Sequence, residues 1–471
     1  MSDDNSKNSL LLFQLGPVQS FIAQAQTAGD LWAGSYLLSN LVWEGLKQIP
    51  NRESAVIFPD LSTDVVKKAL EEHLIPTIPN RFLAEVPFGT GAELAEKIKK
   101  VVKEKLDGYV EDLELDDELK EAALKQTSQF LQMTWSVIEN PSENMGENYK
   151  AIGRLMALRR NVREFKPWEA SFKGGQKDFL SGKEEALQGK RGALNLIKQA
   201  LVQKKVSEDE AKEQEGQIEG DYIAVIAMDG DRMGATLSSF PNGGEHRNFS
   251  RSLAEFAIAV TPIIEEFAGQ LIYAGGDDVL AIVPAKEAVT CAAKLSNLFS
   301  ENVKNKDSES LTASAGIAIG HSSVPLQDLV HAAHAAESRA KKTYGRNALA
   351  ISIYKRSGEI LEWGCKWGSP ALEIYKKLSK LDRKEKQIGG FPYKLAGLLQ
   401  PYAIEGKLVD GMHEIVMAEF KHAISQTKDM IGELDEQQVE DYLTQCGSKR
   451  GEDFLTLFLA EAFINRPPKG N

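Results

Sequence analysis

The sequence predicts an α+β protein, and three observations carry that expectation. Residues 222–228 form a continuous apolar run, the mark of a strand buried on both faces. Residues 271–284 hold two β-rich apolar runs around Gly275, Gly276, Asp277 and Asp278, the composition of a β-hairpin with a tight turn. Beyond residue 354 the apolar spacing turns helical, at Leu395, Leu398 and Leu399, then Ile415, Val416 and Phe420, then Leu455, Leu457, Phe458 and Phe463. That is the pattern of a small helical bundle.

A chain of 471 residues has room for roughly two to four domains. Its 42% hydrophobic and 26% charged content is ordinary for a globular protein. The first apolar run, residues 10–15, is too short for a signal peptide or a membrane span, so no membrane role is expected. Cys291, Cys365 and Cys446 lie far apart and form neither a metal-ligand spacing nor a disulfide framework, which fits a reducing cytoplasm. The formal net charge of -12 weighs against a free-standing nucleic-acid binder, because neutralising phosphates needs a basic surface. A subunit that meets RNA through partners stays compatible with it. The histidines are scattered, and only His331 and His334 share a helix face, without a nearby third ligand.

Taken in order, residues 1–9 are polar and expected to be disordered. Residues 10–15 read as a strand, broken by Gly16 and Pro17, and a helix carrying Phe21, Ile22 and Ala25 follows. A second helix begins near Leu31, and its stripe of Trp32, Tyr36, Leu37, Leu41 and Trp43 reads as core. Residues 55–58 form another short strand, residues 91–117 one or two charged surface helices, and residues 134–138 a strand. The helix over 149–163 is locally basic, with Arg154, Arg159, Arg160 and Arg163, and suits either a solvated face or a surface for partners and RNA. Residues 207–219 are acidic with few apolar positions, as in an exposed linker.

The strand over 222–228 runs into Asp229, Gly230, Asp231, Arg232, Met233 and Gly234. After the hairpin come a third strand at 312–319, a helix over 326–343, the turn Gly345, Arg346 and Asn347, and a fourth strand at 348–354. If the first strand pairs beside the hairpin, Asp229 converges on Asp277 and Asp278. Adjacent carboxylates repel each other, and a divalent cation makes them useful, since Mg²⁺ takes hard oxygen ligands together with substrate phosphates. Such a trio can hold two metal ions for an in-line phosphoryl displacement. The glycines let backbone approach a phosphate closely. Each motif alone also reads as an ordinary acidic turn.

This order of strands, helices and motifs resembles the palm domain shared by GGDEF-type nucleotide cyclases and the large polymerase/cyclase subunit of type III CRISPR effector complexes. Residues 10–46 and 79–87 resemble the Cmr-type, subtype III-B, large subunit. The resemblance implies two ferredoxin-like palm domains with a helical C-terminal domain. It places a non-catalytic first palm at 1–166, a degenerate zinc-module region and linker at 167–219, a catalytic second palm at 220–356 and the helical domain at 357–471. Two features of relatives are missing: no His-Asp pair marks a nuclease domain, and residues 177–183 carry no cysteine, so no zinc is expected.

The resemblance further implies Mg²⁺ or Mn²⁺ at Asp229, Asp277 and Asp278, with ATP as substrate. Gly230, Asp231, Arg232, Met233, Gly234, Gly275 and Gly276 would line the nucleotide, and Ser314 would lie near its base. Lys341 or its neighbour Lys342, with Arg346, would neutralise the triphosphate; both also suit charges that complement a helix C-terminus. The first palm would hold an acceptor nucleotide, and the product would be a cyclic oligoadenylate made when target RNA is bound. The implied partners are the other subunits of a Cmr-type complex and, through them, CRISPR RNA and target RNA. Transfer of AMP to another acceptor such as S-adenosylmethionine, a scaffold subunit without turnover, and a diguanylate cyclase are the alternatives.

Overall fold

The computed structural model describes residues 8–64, 66, 78–162, 175–209, 221–380, 391–404, 407–409, 411–425, 435–446 and 451–465. The first domain opens with β1 (Asn8–Gly16), a one-turn helix α1 (Gln19–Ile22) and α2 (Ala28–Leu46). A reciprocal cap starts α2: Thr27 Oγ1 accepts the Asp30 N–H at 3.1 Å, and Asp30 Oδ2 accepts the Thr27 N–H at 3.0 Å. There follow α3 (Arg52–Ala55), β2 (Val56–Phe58), β3 (Arg81–Pro87), α4 (Gly91–Glu111), α5 (Asp117–Phe130), β4 (Gln132–Glu139) and α6 (Met145–Asn161). The four strands form an antiparallel sheet in the order β2-β3-β1-β4.

Asn8 and Ser9 belong to β1 rather than to a disordered tail, because the Ser9 hydroxyl, fully buried, donates to Glu139 on β4. Residues 1–7 lie outside the described residues. The helix expected to include Ala25 ends at Ile22, where α1 gives way to the cap of α2.

Residues 175–192 form a loop gathered around Asp178. Its carboxylate accepts the N–H groups of Leu180 at 2.9 Å, Ser181 at 2.6 Å and Gly192 at 2.6 Å, and the Asn195 side chain at 3.0 Å. The helix α7 (Ala193–Asp209) follows. Its fully buried Lys198 donates to the carbonyls of Phe21 at 2.7 Å and Gln24 at 2.8 Å, and so ties α7 to the first domain. The expected linker therefore starts inside a helix, and from residue 210 it lies outside the described residues, as do Arg163 and residues 167–174.

The second domain contains β5 (Tyr222–Gly230), α8 (Met233–Leu237), α9 (Gly243–Glu266), β6 (Gln270–Ala274), β7 (Val279–Pro284) and α10 (Ala288–Asn302). It continues with β8 (Ala313–His321), α11 (Leu326–Lys342), β9 (Ala348–Tyr354) and β10 (Ile360–Lys366). The six strands run in the order β10-β9-β8-β5-β7-β6. Only β8 and β9 pair parallel, through the crossover helix α11; the other pairs are antiparallel. Both faces of β5 are covered, which explains its unbroken apolar run. Ala224, Ile226 and Met228 share a core with Phe256 of α9 and Phe299 of α10. Val225 and Ala227 share another with Leu37 and Leu41 of α2 in the first domain. The central sheet is thus the wall between the two domains.

The chain does not turn helical at once beyond Tyr354. Residues Ile360–Lys366 add β10 to the sheet edge, and their alternation buries Leu361, Trp363 and Cys365 on one side. Helices α12 (Pro370–Ser379), α13 (Phe391–Leu399), α14 (His413–Ser425), α15 (Glu436–Cys446) and α16 (Gly451–Ile464) follow, with the two-residue strands β11 (Ala403–Ile404) and β12 (Lys407–Leu408) between α13 and α14. These helices share one core with the second sheet: fully buried Trp363 donates its indole N–H to Tyr442 on α15 at 3.0 Å. Residues 381–390, between α12 and α13, lie outside the described residues. Among the described residues no helix is long and apolar enough to cross a membrane.

Candidate active site

Strand β5 runs antiparallel to both β7 and β8, so its carboxyl end, the β6–β7 turn and the start of β8 meet at one end of the sheet. Met228 pairs with Val279, and Asp229 pairs with Ser314. The turn is closed by the Gly275 N–H donating to the Asp278 carbonyl at 2.9 Å. Gly276 has φ +87, a left-handed conformation that costs glycine nothing. Gly230 is required for a different reason: a Cβ there would stand 2.8 Å from Met233 and 3.0 Å from the Asp277 Cβ. The missing side chain is what lets the hairpin tip rest against the end of β5.

Asp277 and Asp278 are half-buried. Burial first, and for Asp277 the charge of Asp278 second, pushes both carboxyls above the usual carboxylate range, while Arg81 pulls them back. Glu337, on α11, is raised to about 7 by burial and then by Asp278 and Asp231. Lys341, one turn later, hydrogen-bonds the Asp229 carboxylate and pairs with Glu337 Oε1 at 2.7 Å. Burial, then the Arg346 charge, lowers its amine to about 8.

The structure thus brings Asp229, Asp277 and Asp278 to one place without assembling them into a ready cage. Among the described residues no three His, Cys, Asp or Glu side chains stand ready to hold a metal ion, and Asp229 is engaged by Lys341 instead. The donor set still suits a hard divalent cation. Two adjacent carboxylates are held against their own repulsion in a partly desolvated turn, and such groups call for a cation.

Several expected nucleotide contacts have other work. Ser314 is fully buried and donates to Asp231 Oδ1 at 2.8 Å, so its hydroxyl is engaged inside the protein. Asp231 Oδ2 accepts the Thr312 hydroxyl at 2.8 Å and the Asn347 N–H at 2.8 Å. Asp231 is therefore a buried clamp joining β5, β8 and the turn before β9. Met233 is core. Arg232 and Arg346 are exposed, both in left-handed backbone at φ 58 and φ 64, and Gly234 is exposed beside them. Of the two candidate lysines it is Lys341 that engages Asp229; Lys342 is exposed.

Sequence reasoning missed two residues. Glu337 had a local signal in its i,i+4 spacing to Lys341. Arg81 had none, because it comes from β3 of the first domain. A Cβ on Gly275 would meet Pro79 at 3.9 Å and one on Gly276 would meet Phe58 at 3.9 Å, and the Arg81 guanidinium lies 6.0 Å from the Phe58 ring centroid. The acidic turn therefore faces the first domain.

Comparison with known proteins agrees with this architecture. Residues 10–111 match the family profile described as CRISPR-associated protein Cmr2, N-terminal, and residues 222–350 match Cas10/Cmr2, second palm domain. The CRISPR system Cmr subunit Cmr2 of Pyrococcus furiosus is 34% identical over 164 residues, covering 29% of this chain and 19% of that protein. The single-strand-specific deoxyribonuclease Cas10/Csm1 (subtype III-A) of Streptococcus thermophilus is 27% identical over 201 residues, covering 40% of this chain and 25% of that one. The matches thus span a quarter or less of these relatives' own lengths. Among solved structures, the apo state of a type III-B Cmr-beta complex contains a chain that superimposes with TM-score 0.67 at 11% identity, over 99% of this chain and 82% of that one. A Csm1-Csm4 cassette in complex with cA4 gives TM-score 0.58 at 13% identity, over 98% and 70%. Residues 10–111 thus carry a domain similar to the N-terminal domain of Cmr2, and residues 222–350, whose sheet presents the Gly-Gly-Asp-Asp turn at one end, carry one similar to the second palm domain of Cas10/Cmr2.

Proposed function

We propose that this chain is the nucleotidyltransferase subunit of a type III-B CRISPR effector complex, converting ATP into a cyclic oligoadenylate when the complex holds target RNA. The observation that carries the reading is the position of the Gly275–Asp278 turn, set against the end of β5 on one side and against Phe58, Pro79 and Arg81 of the first domain on the other. A nucleotide seated at the acidic turn has a second domain facing it, and a joining reaction needs an acceptor on that opposite side. The Csm1-Csm4 cassette solved with cA4, a distant structural neighbour, supports the same direction. Assembly with Cmr-type subunits, CRISPR RNA and target RNA belongs to this proposal.

Asp277, Asp278 and Asp229 would hold Mg²⁺ or Mn²⁺, which when bound neutralises the phosphates and the departing pyrophosphate. The chain's own residues do the rest. Gly230 and Gly276 let the acidic turn rest against the end of β5 and take its left-handed conformation, which holds Asp277 and Asp278 in place. Lys341 holds Asp229 until it is called on, and its ammonium then lies beside the triphosphate. Asp231 fixes the turn that presents Arg346. Arg81 brings positive charge from the acceptor side.

The test is mass spectrometry of products from ATP, or from GTP, with and without S-adenosylmethionine, using the assembled complex and target RNA. Cyclic oligoadenylate from the parent and none from Asp277→Ala combined with Asp278→Ala, with assembly unchanged, is the expected result. An AMP adduct, a cyclic guanylate, or equal product from parent and variant would each replace the reading.

A further inference from the structure

Beside the acidic turn the same end of the sheet opens into a cleft of about 530 Å³, within the usual range for small-molecule sites. Its walls are Asp231 and Arg232 after β5, Lys306 and Asp307 in the loop before β8, and Arg346 and Asn347 before β9. Arg232, Lys306 and Arg346 are exposed, and none of the three enters an ion pair among the described residues. The Asp231 carboxylate is turned to Ser314, Thr312 and Asn347, so three cations face two acids, Asp231 and Asp307, and of these Asp307 alone has no such internal partners among the described residues.

The three cations stand on fixed backbone. Arg232 and Arg346 are left-handed, a conformation that costs a non-glycine residue about 1–3 kcal/mol and persists where the surroundings enforce it. At Arg346 Lys366 enforces it by donating to the carbonyls of Gly345 at 2.8 Å and Arg346 at 2.6 Å, and Arg232 is held between the strand end and the first turn of α8, where the Ala235 N–H donates to its carbonyl at 3.0 Å. Lys306 sits in a loop closed by Asn305, whose Oδ1 accepts the N–H groups of Asp307 and Glu309, each at 2.9 Å. The loop ends are tied by the Leu311 N–H to the Val303 carbonyl at 2.9 Å. Three converging donors of this kind match the several oxygens of a polyphosphate, with Lys306 acting as a point charge at the far wall.

We infer that Lys306 is a specificity-determining residue of this site: with Arg232 and Arg346 it receives the distal phosphate of a nucleoside triphosphate, so that the cleft prefers triphosphates over diphosphates. This rests on the nucleotide site proposed above and adds to it a residue that no motif marks. Arg232 follows Asp229 by three positions, so a nucleotide whose proximal phosphates lie at the acidic turn extends naturally toward Lys306.

The experiment measures equilibrium binding of ATP, ADP and inorganic tripolyphosphate, with Mg²⁺, to the full chain and to Lys306→Ala and Lys306→Arg. Because Lys306 is exposed, both variants should keep the parent's thermal midpoint. The expected result is a roughly tenfold weaker hold on ATP and tripolyphosphate in Lys306→Ala. ADP binding should change by less than about twofold, and Lys306→Arg should restore ATP binding. Equal losses for ATP and ADP, or no loss for either, would overturn the inference while leaving the nucleotide site standing. A parent protein that bound neither nucleotide would overturn both.

Discussion

The ammonium of Lys341, on the last turn of α11, hydrogen-bonds the carboxylate of Asp229 at the end of β5, and so occupies the acid that a cation at the Asp277–Asp278 turn would need. The same amine pairs with Glu337 at 2.7 Å, which fixes it there. Lys341 and the cation therefore compete for Asp229. Replacing Lys341 with Met should tighten Mn²⁺ binding by roughly tenfold, the scale of one charge-assisted hydrogen bond. Product formation should fall by at least as much, because the triphosphate loses a cation. A manganese titration followed by electron paramagnetic resonance, run beside a product assay, reads both. Weaker Mn²⁺ binding in the variant would mean that Lys341 supports the cation site rather than guards it.

Arg81 reaches the acidic turn from the other domain. It is the positive charge that offsets the raised affinity of Asp277 and Asp278 for protons. Arg81→Glu would add a third negative charge and, at a partly buried site, should reduce product by roughly tenfold or more. The residue is exposed, so folding and assembly should survive. Product yield per complex, with co-elution of the subunits as the control, is the measurement. Unchanged yield would show that the first domain contributes only a wall.

The parts of this site that follow the chain's own local pattern were legible in the sequence. Apolar runs located β5, β7 and β9, and the hairpin composition located the turn that carries Asp277 and Asp278. What escaped is what depends on partners distant in sequence. Strand β10 was missed because an edge strand with Glu362 and Lys366 facing outward has only Leu361, Trp363 and Cys365 to mark it. Arg81 has meaning only across the domain boundary. Asp231 and Ser314 were expected at the nucleotide because the family resemblance implies it, not from any pattern in the chain itself. Their burial depends on the pairing of β5 with β8, which no local pattern shows.

That pairing makes a stability prediction for Asp231. All the bonds of its carboxylate are acceptances, from Ser314, Thr312 and the Asn347 N–H, and the backbone donor cannot reorient. Asp231→Asn keeps one acceptor for the Asn347 N–H but removes the charge that strengthens all three bonds and forces a buried hydroxyl to turn from donor to acceptor. The expected cost is about 1–3 kcal/mol of stability, read as a lower urea midpoint. It should come with loss of order at the Gly345–Asn347 turn, visible as faster amide exchange there. An Asp231→Asn protein as stable as the parent would return Asp231 to the list of direct nucleotide contacts.

Lys198 gives the last prediction, and it concerns pH. Its side chain is fully buried, donates to the Phe21 and Gln24 carbonyls, and lies 4.0 Å from the Phe21 ring centroid, with Asp30, Asp178 and Arg191 as the charged neighbours. Burial lowers its amine from 10.5 to about 7, against the pull of Asp30 and Asp178. Between about 7 and 10.5 the unfolded chain therefore keeps a proton that the folded chain has given up. Stability rises with pH wherever the unfolded state binds more protons, so this lysine's contribution grows through that window and is lost as pH falls toward 7. The slope is about 1.4 kcal/mol per pH unit. Urea unfolding of the parent and of Lys198→Met, at two values about 1.5 pH units apart inside the window, should show the parent gaining roughly 2 kcal/mol relative to the variant. A difference that stays flat or shrinks with rising pH would mean that Lys198 remains charged in the folded protein, held by Asp30 and Asp178 against the cost of burial.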